Sequence, residues 1–179
     1  MTLRQAQDRP DDKDAPLETV WQGKYISALK RGRWEYVSRT GSTNAVVILA
    51  EQDGKVILIE QYRVPVGGRC LELPAGLVGD EDEHATVEDT AVKELEEETG
   101  FTCDRIERLG EFHSSPGMVA ESFTLVRAHG VRKVGEGGGN DHEDIEVFLV
   151  ARKDIPDFIA QRRATGSAVD VKLLLFVGF

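Results

Sequence analysis

The apolar positions fall into short runs whose spacing separates strands from helix. Residues 24–29, 34–39 and 44–50 have strand character, the last containing the unbroken run Ala45-Val46-Val47-Ile48-Leu49. Asp53-Gly54 follows, and then Val56-Ile57-Leu58-Ile59. Asp-Gly between two β-rich runs predicts a tight hairpin, because glycine tolerates the positive φ such a turn needs. Residues 70–73 read as a short strand stopped by Pro74, and further strands are expected at 105–112, 122–128 and 145–150.

The clearest helix covers residues 86–99. Thr86 is a good N-cap with Asp89 three residues on, a capping box with Asp in place of the usual Glu. Val87, Ala91, Val92 and Leu95 supply an apolar stripe. Gly100 is expected to stop the helix as a left-handed C-cap, with Phe101 folding back onto it. Gly135-Glu136-Gly137-Gly138-Gly139 reads as a mobile loop. Two short helices, at 156–163 and 168–176, are expected to close the chain. No internal repeat is evident. This mixed, strand-rich order with few helices suits an α+β fold better than a regular βαβ alternation.

The chain's 179 residues fit one domain with a sizeable core. Lys and Arg number 22 against 32 Asp and Glu, a net charge of -10, which repels polyanions and argues against a nucleic-acid partner. A small phosphorylated substrate stays open if divalent metal ions supply positive charge locally. Cys70 and Cys103 lack metal-ligand spacing and read as free thiols in a reducing compartment. Residues 1–16 are polar, with Asp8, Asp11, Asp12 and Asp14, and read as a frayed tail with no signal-peptide core. The longest apolar run, 173–179, is too short to span a bilayer. The expectation is a cytoplasmic protein with no membrane partner.

Lys93-Glu94-Leu95-Glu96-Glu97-Glu98-Thr99-Gly100-Phe101 is the informative segment. Glu94, Glu97 and Glu98 stand at i, i+3 and i+4, so their carboxylates crowd one side of the helix. Like charges at these spacings cost a few tenths of a kcal/mol per pair, roughly. The helix C-terminus is also where the macrodipole disfavours negative charge. A solvated acidic face is one reading. Hard oxygen ligands converging on Mg²⁺ is the other, since a cation reverses the sign of the local energy.

The segment closely resembles the Nudix box, whose pattern is Gly, five residues, Glu, seven residues, then Arg-Glu-aliphatic-any-Glu-Glu-any-Gly-aliphatic. Residues 94–100 match at every defining position, and Leu71-Glu72-Leu73-Pro74-Ala75-Gly76-Leu77 resembles the strand and turn before the box. Lys93 stands in place of the arginine that orients a box glutamate, and cannot make the same bidentate fork. Phe101 replaces an aliphatic residue. The stretch from Gly76 to Lys93 is three residues longer than the pattern, which puts Ala85 at the upstream glutamate slot and Gly79 at the glycine slot. The inserted acids, Asp80, Glu81, Asp82 and Glu83, read as a solvated loop.

The resemblance implies a Nudix fold: a mixed β-sheet packed between helices, an α/β/α sandwich, with an N-terminal antiparallel strand region. It divides the chain into a tail (1–16), N-terminal strands for dimerisation and base binding (17–42) and a hydrolase domain (43–179). It implies two or three Mg²⁺ ions, with Mn²⁺ as a substitute, held by Glu94, Glu97, Glu98 and the Ala75 carbonyl, with Glu97 and Glu98 also catalytic. Asn140-Asp141-His142-Glu143-Asp144 resembles the Glu-bearing loop of ADP-ribose pyrophosphatases, which makes Glu143 the base or a further ligand and Asp141 the alternative. In the same subgroup Arg63 matches an arginine that contacts the diphosphate or terminal ribose. Trp34 matches an aromatic that stacks on adenine, Arg39 a nearby binding arginine, and Tyr25 the other side of the stack. Ser115-Pro116-Gly117, ending in Glu121, resembles the segment after the box. N-terminal strands swap across a homodimer in that subgroup.

The implied activity is cleavage of a nucleoside diphosphate sugar, ADP-ribose foremost, giving AMP and ribose 5-phosphate. ADP-glucose, GDP-mannose or a dinucleoside polyphosphate are alternative substrates. A non-catalytic nucleotide sensor is the alternative class; it would go with degenerate box glutamates, and here all three are present.

Overall fold

The computed structural model describes residues 10–40, 44–80, 82, 84–140 and 143–177. The chain forms two compact units, one from Met1–Ser42 with Ser115–Glu121 and the other from Thr43–Ser114 with Ser122–Phe179.

In the first unit a helical turn α1 (Pro10–Lys13) precedes three strands, β1 (Leu17–Gln22), β2 (Ile26–Arg31) and β3 (Trp34–Arg39). They form an antiparallel meander in which Leu17 faces Arg31, and Arg31 faces Trp34. Every residue of β1 is exposed, so it shows none of the alternation that marks a half-buried strand, and the hydrophobic pattern did not single it out. Residues 115–121 attach through Val37, whose N–H donates to Met118 and whose carbonyl accepts from Ala120, both at 2.9 Å. Of the stretch expected to fray, 1–9 lies outside the described residues. Asp12 accepts from the Arg33 side chain and from its backbone N–H.

The second unit holds β4 (Ala45–Leu49), β5 (Glu51–Gln52), β6 (Lys55–Arg63), β7 (Gly68–Glu72), β8 (Ala75–Leu77), α2 (Val87–Thr99), β9 (Phe101–Thr102), β10 (Arg105–Phe112), β11 (Phe123–His129), β12 (Arg132–Lys133), β13 (Glu146–Ala151), α3 (Ile155–Ala164) and β14 (Ala168–Val169). One mixed sheet runs β10-β11-β4-β8, with β11 and β4 parallel, and another runs β13-β6-β7-β14. The unbroken apolar run of β4 is buried on both faces, as strands covered on two sides are. Val46, Ile48 and Ala50 pack with Ala91 and Leu95 of α2, while Val47 and Leu49 pack with Ile155 and Ile159 of α3. Ile57 joins the first cluster and Val56 and Leu58 the second. This is the expected α+β fold, sheet between helices. Among the described residues no helix is long and apolar enough to cross a membrane.

Local expectations meet three outcomes. The caps of α2 form as read: Thr86 accepts from the Asp89 N–H at 3.1 Å, Asp89 accepts from the Thr86 N–H at 3.2 Å, and Gly100 has φ 74°. Asp53 (φ 51°) and Gly54 (φ 75°) make the tight turn, but it joins β5 to β6, because the chain leaves one sheet after β4 and enters the other. The segment 168–176 is not an α-helix. Ala168–Val169 pair with β7 and Asp170 donates to the Leu71 carbonyl at 3.0 Å, leaving only a 3₁₀ segment, Val171–Phe176, capped by Asp170.

The glycine-rich segment is likewise not the loose loop its composition suggested. The N–H groups of Val134 and Gly135 donate to Gly100, that of Gly138 to Glu98, and that of Gly139 to Glu97, at 2.8–3.0 Å. They satisfy carbonyls that a helix C-terminus leaves without partners. Glycine is required because the backbones touch: a Cβ on Gly137 would stand 2.3 Å from the Thr99 carbonyl carbon.

Candidate active site

The second unit gathers the box glutamates around the edge strand β8. Ile48 donates to the Pro74 carbonyl and Val78 to the Asn44 carbonyl, both at 2.8 Å, which fixes the alternation of the β4–β8 ladder. That alternation turns the N–H and carbonyl of Ala75 away from β4, toward the open edge. There the Ala75 N–H is taken by Oε2 of Glu98 at 3.0 Å. One residue on, Glu94 lies directly over Gly76: a Cβ there would stand 2.1 Å from its Oε1. Gly79, the glycine of the shifted alignment, instead takes a left-handed turn with φ 84°, and Asp80 and Asp82 of the insertion are exposed.

Glu98 is the unusual member, since its residue is only 4% exposed. Burial pushes its carboxyl up to about 8, against the Ala75 hydrogen bond; Glu94 and Glu143 add to the rise and Arg63 opposes it. The buried Glu98 carboxyl therefore feels two further acids, the half-buried Glu94 and the exposed Glu143. Glu97 is about half exposed and pairs with Lys93 at 3.6 Å, so the lysine reaches a box glutamate as a point charge. Glu143 follows the glycine segment and accepts from the Asn140 N–H at 3.2 Å. Its side chain fills the space beside Gly139, where a Cβ would stand 2.7 Å from Oε2. Asp141 and His142 lie outside the described residues.

Arg63, at the end of β6, is held by Glu72 through two bonds, Nε to Oε1 at 2.8 Å and Nη2 to Oε2 at 2.7 Å. Such a fork fixes the guanidinium plane. Glu72, buried beside the box entry, was read only as part of the strand; an acid on a short strand gives no sign in sequence of the arginine it will meet. No three of the described His, Cys, Asp or Glu side chains enclose a metal position by themselves. An all-oxygen set of a few carboxylates nevertheless suits Mg²⁺, which keeps waters and completes its shell with substrate phosphates. Cys70 and Cys103 are free and buried, and burial with Glu72 beside it pushes the Cys70 thiol up to about 12.

The remaining expected residues belong to the first unit. Trp34, Pro116 and Gly117 line a cleft of about 600 Å³ together with Tyr36, Arg31 and Arg33. The last three were not singled out from the sequence, although Arg31 and Arg33 stand at alternate positions just before Trp34. Arg39 forms an ion pair with Glu121. Tyr25 precedes β2 and carries Lys24 over its ring at 4.8 Å. Ile26 pairs with Arg39 and Arg31 with Trp34, so Tyr25 and Trp34 stand at opposite ends of the β2–β3 hairpin, roughly 20 Å of strand apart. The two rings of one chain do not form two sides of a stack.

Comparison with known proteins agrees with this geometry. Residues 41–168 match the NUDIX domain. The methanol dehydrogenase activator of Bacillus methanolicus is 33% identical, over 86% of this chain and 85% of that protein. The ADP-ribose pyrophosphatase of Bacillus subtilis (strain 168) is 30% identical, over 85% of each. A solved structure described as an ADP compounds hydrolase superposes with a TM-score of 0.69 at 21% identity, covering 90% of this chain and 89% of that one, a likeness of fold. With its glutamates on the expected helix and the family domain covering most of its length, this chain belongs to the Nudix family.

Proposed function

We propose that the protein hydrolyses the pyrophosphate of a nucleoside diphosphate sugar with Mg²⁺, and that ADP-ribose is the substrate: ADP-ribose and water give AMP and ribose 5-phosphate. The observation that carries this reading is Glu98, buried with one oxygen on the Ala75 N–H and its carboxyl raised by burial first and by Glu94 and Glu143 after it, an arrangement that costs stability unless a cation joins it. The ADP-ribose pyrophosphatase relative and the basic, aromatic cleft around Trp34 support the substrate class.

Glu94, Glu98 and the Ala75 carbonyl would hold the metal, with Glu97 and Glu143 as further ligands. When bound, Mg²⁺ neutralises the diphosphate oxygens and acidifies a water. Glu143 accepts the proton of the attacking water. Arg63, its Nε and Nη2 occupied by Glu72, presents its Nη1 edge to a phosphate oxygen. Trp34 offers a π-face to the base, worth roughly 1–3 kcal/mol of stacking. Arg39, Pro116, Gly117 and Glu121 shape the same binding region, and Tyr25 serves it only from a second copy. The exposed apolar side chains Leu17, Val20, Trp21, Tyr25, Ile26 and Trp34 on the N-terminal sheet support a homodimer with swapped strands. The proposed location is the cytoplasm.

The test is incubation with Mg²⁺ and a panel of ADP-ribose, ADP-glucose, GDP-mannose and diadenosine polyphosphates, following release of nucleoside monophosphate. Turnover fastest on ADP-ribose is the expected result. Turnover of polyphosphates alone would overturn the substrate, and no turnover of any member would overturn the enzyme.

A further inference from the structure

Glu60 lies in the middle of β6 with none of its surface exposed, an unusual place for a carboxylate. Two arginines from different elements meet it. Arg162 of α3 donates through Nε at 3.0 Å and through Nη2, and Arg69 of β7 donates through Nε at 3.2 Å. Arg69 does not end there: Nη2 donates to the Glu60 carbonyl at 2.9 Å and to the Asp144 carbonyl at 3.4 Å, and Nη1 donates to the Asp144 carboxylate at 2.9 Å. The network thus runs from α3 through a buried acid to the residue directly after Glu143.

Asp144 is largely exposed, so this ion pair adds little stability of its own. Its geometric effect is larger. Before Glu143 the backbone is pinned where Gly138 and Gly139 bond the end of α2, and after it Ile145 is buried and donates to the Gly138 carbonyl at 3.3 Å. Asp144 adds a side-chain anchor next to the glutamate. We propose that Arg69 is a positioning residue that sets, through Asp144, where Glu143 stands, a proposal that rests on the chemistry assigned to Glu143 above. Glu60 fixes the guanidinium plane of Arg69, which a lysine cannot reproduce.

The experiment cuts the network at its exposed end, where the buried Glu60 cluster is left intact. Asp144→Ala, Glu143→Gln and the double variant are assayed in Mg²⁺ with the best substrate of the panel, alongside thermal unfolding. Glu143→Gln is expected to lower kcat at least about 100-fold. Asp144→Ala is expected to lower kcat about 10-fold, the usual scale for a supporting partner, with KM within about twofold and an unchanged melting temperature. In the Glu143→Gln background it is expected to lower kcat no further, since the two act as one unit. Arg69→Lys should share the Asp144→Ala loss. Wild-type kcat for Asp144→Ala, or a full additional loss on top of Glu143→Gln, would overturn the positioning role while leaving Glu143 in place. Wild-type kcat for Glu143→Gln would overturn both.

Discussion

Glu98 reaches from α2 to the edge of the sheet and takes the N–H of Ala75 at 3.0 Å. One carboxylate oxygen thereby locks the helix to the strand that precedes it, while burial and two neighbouring acids hold the group protonated to unusually high pH.

Metal-free protein should therefore lose stability as pH rises. The Glu98 carboxyl is raised from its ordinary 4.5 to about 8, so between these values the folded chain keeps a proton that the unfolded chain has released. Its contribution is fully present below about 4.5 and is lost as pH climbs through about 8. The melting temperature in EDTA should fall by several degrees from pH 6 to pH 8.5, and Mg²⁺ should raise it more at pH 8.5. In Glu98→Gln the part of the slope due to this group should vanish. An identical pH profile for the two proteins would show that the group does not titrate as derived.

Glu98→Gln should also lower turnover at least about 100-fold, equivalent to about 2.7 kcal/mol of the barrier, while keeping the fold. Gln retains an oxygen for the Ala75 N–H but cannot supply the negative charge. Circular dichroism and steady-state kinetics together check this; wild-type rates would mean that metal is held elsewhere.

Gly76→Ala separates placement from stability. The added methyl would collide with the far end of the Glu94 side chain, which can swing aside. Melting temperature should therefore change little, while kcat drops by roughly 10- to 100-fold because the carboxylate is displaced. A loss of fold with no specific loss of activity would contradict the contact.

Gly137→Ala should do the opposite. Its φ is 71°, and the colliding atoms belong to the backbone of Thr99 and Gly100, which cannot move without unwinding the end of α2. Urea denaturation should show a loss of at least about 2–3 kcal/mol. Gly54→Ala, with φ 75° and open space around it, should cost only about 1 kcal/mol.

Legibility in the sequence follows the range of the interactions involved. The caps of α2, its apolar stripe and the Asp53-Gly54 turn are set by neighbours within four residues, and they could be read directly. The box glutamates could be read because residues 94–100 resemble the Nudix box at every defining position; their spacing alone left a solvated acidic face open. What could not be read depends on partners far along the chain. The β1 strand is exposed throughout, and the 3₁₀ ending at Phe176 follows from a pairing with Leu71. Gly135–Gly139 look flexible by composition, and only the approach of Thr99 and Gly100 explains why Gly137 is a glycine. Arg69 carries no local sign that Glu60 and Asp144 will meet it.

The pairing of β4 has a consequence for how the protein comes into being. Ala45 sits beside Phe123 in a parallel register, and Ala45 also faces Leu77. A parallel pair between segments so distant must close a long loop before any contact rewards it, which makes collapse slow and non-local. The strand edge that receives Glu98 exists only once β8 has paired with β4, Ala75 against Val47 and Leu77 against Ala45. A peptide excised from 71 to 101 would carry every box glutamate and still be unable to build the site.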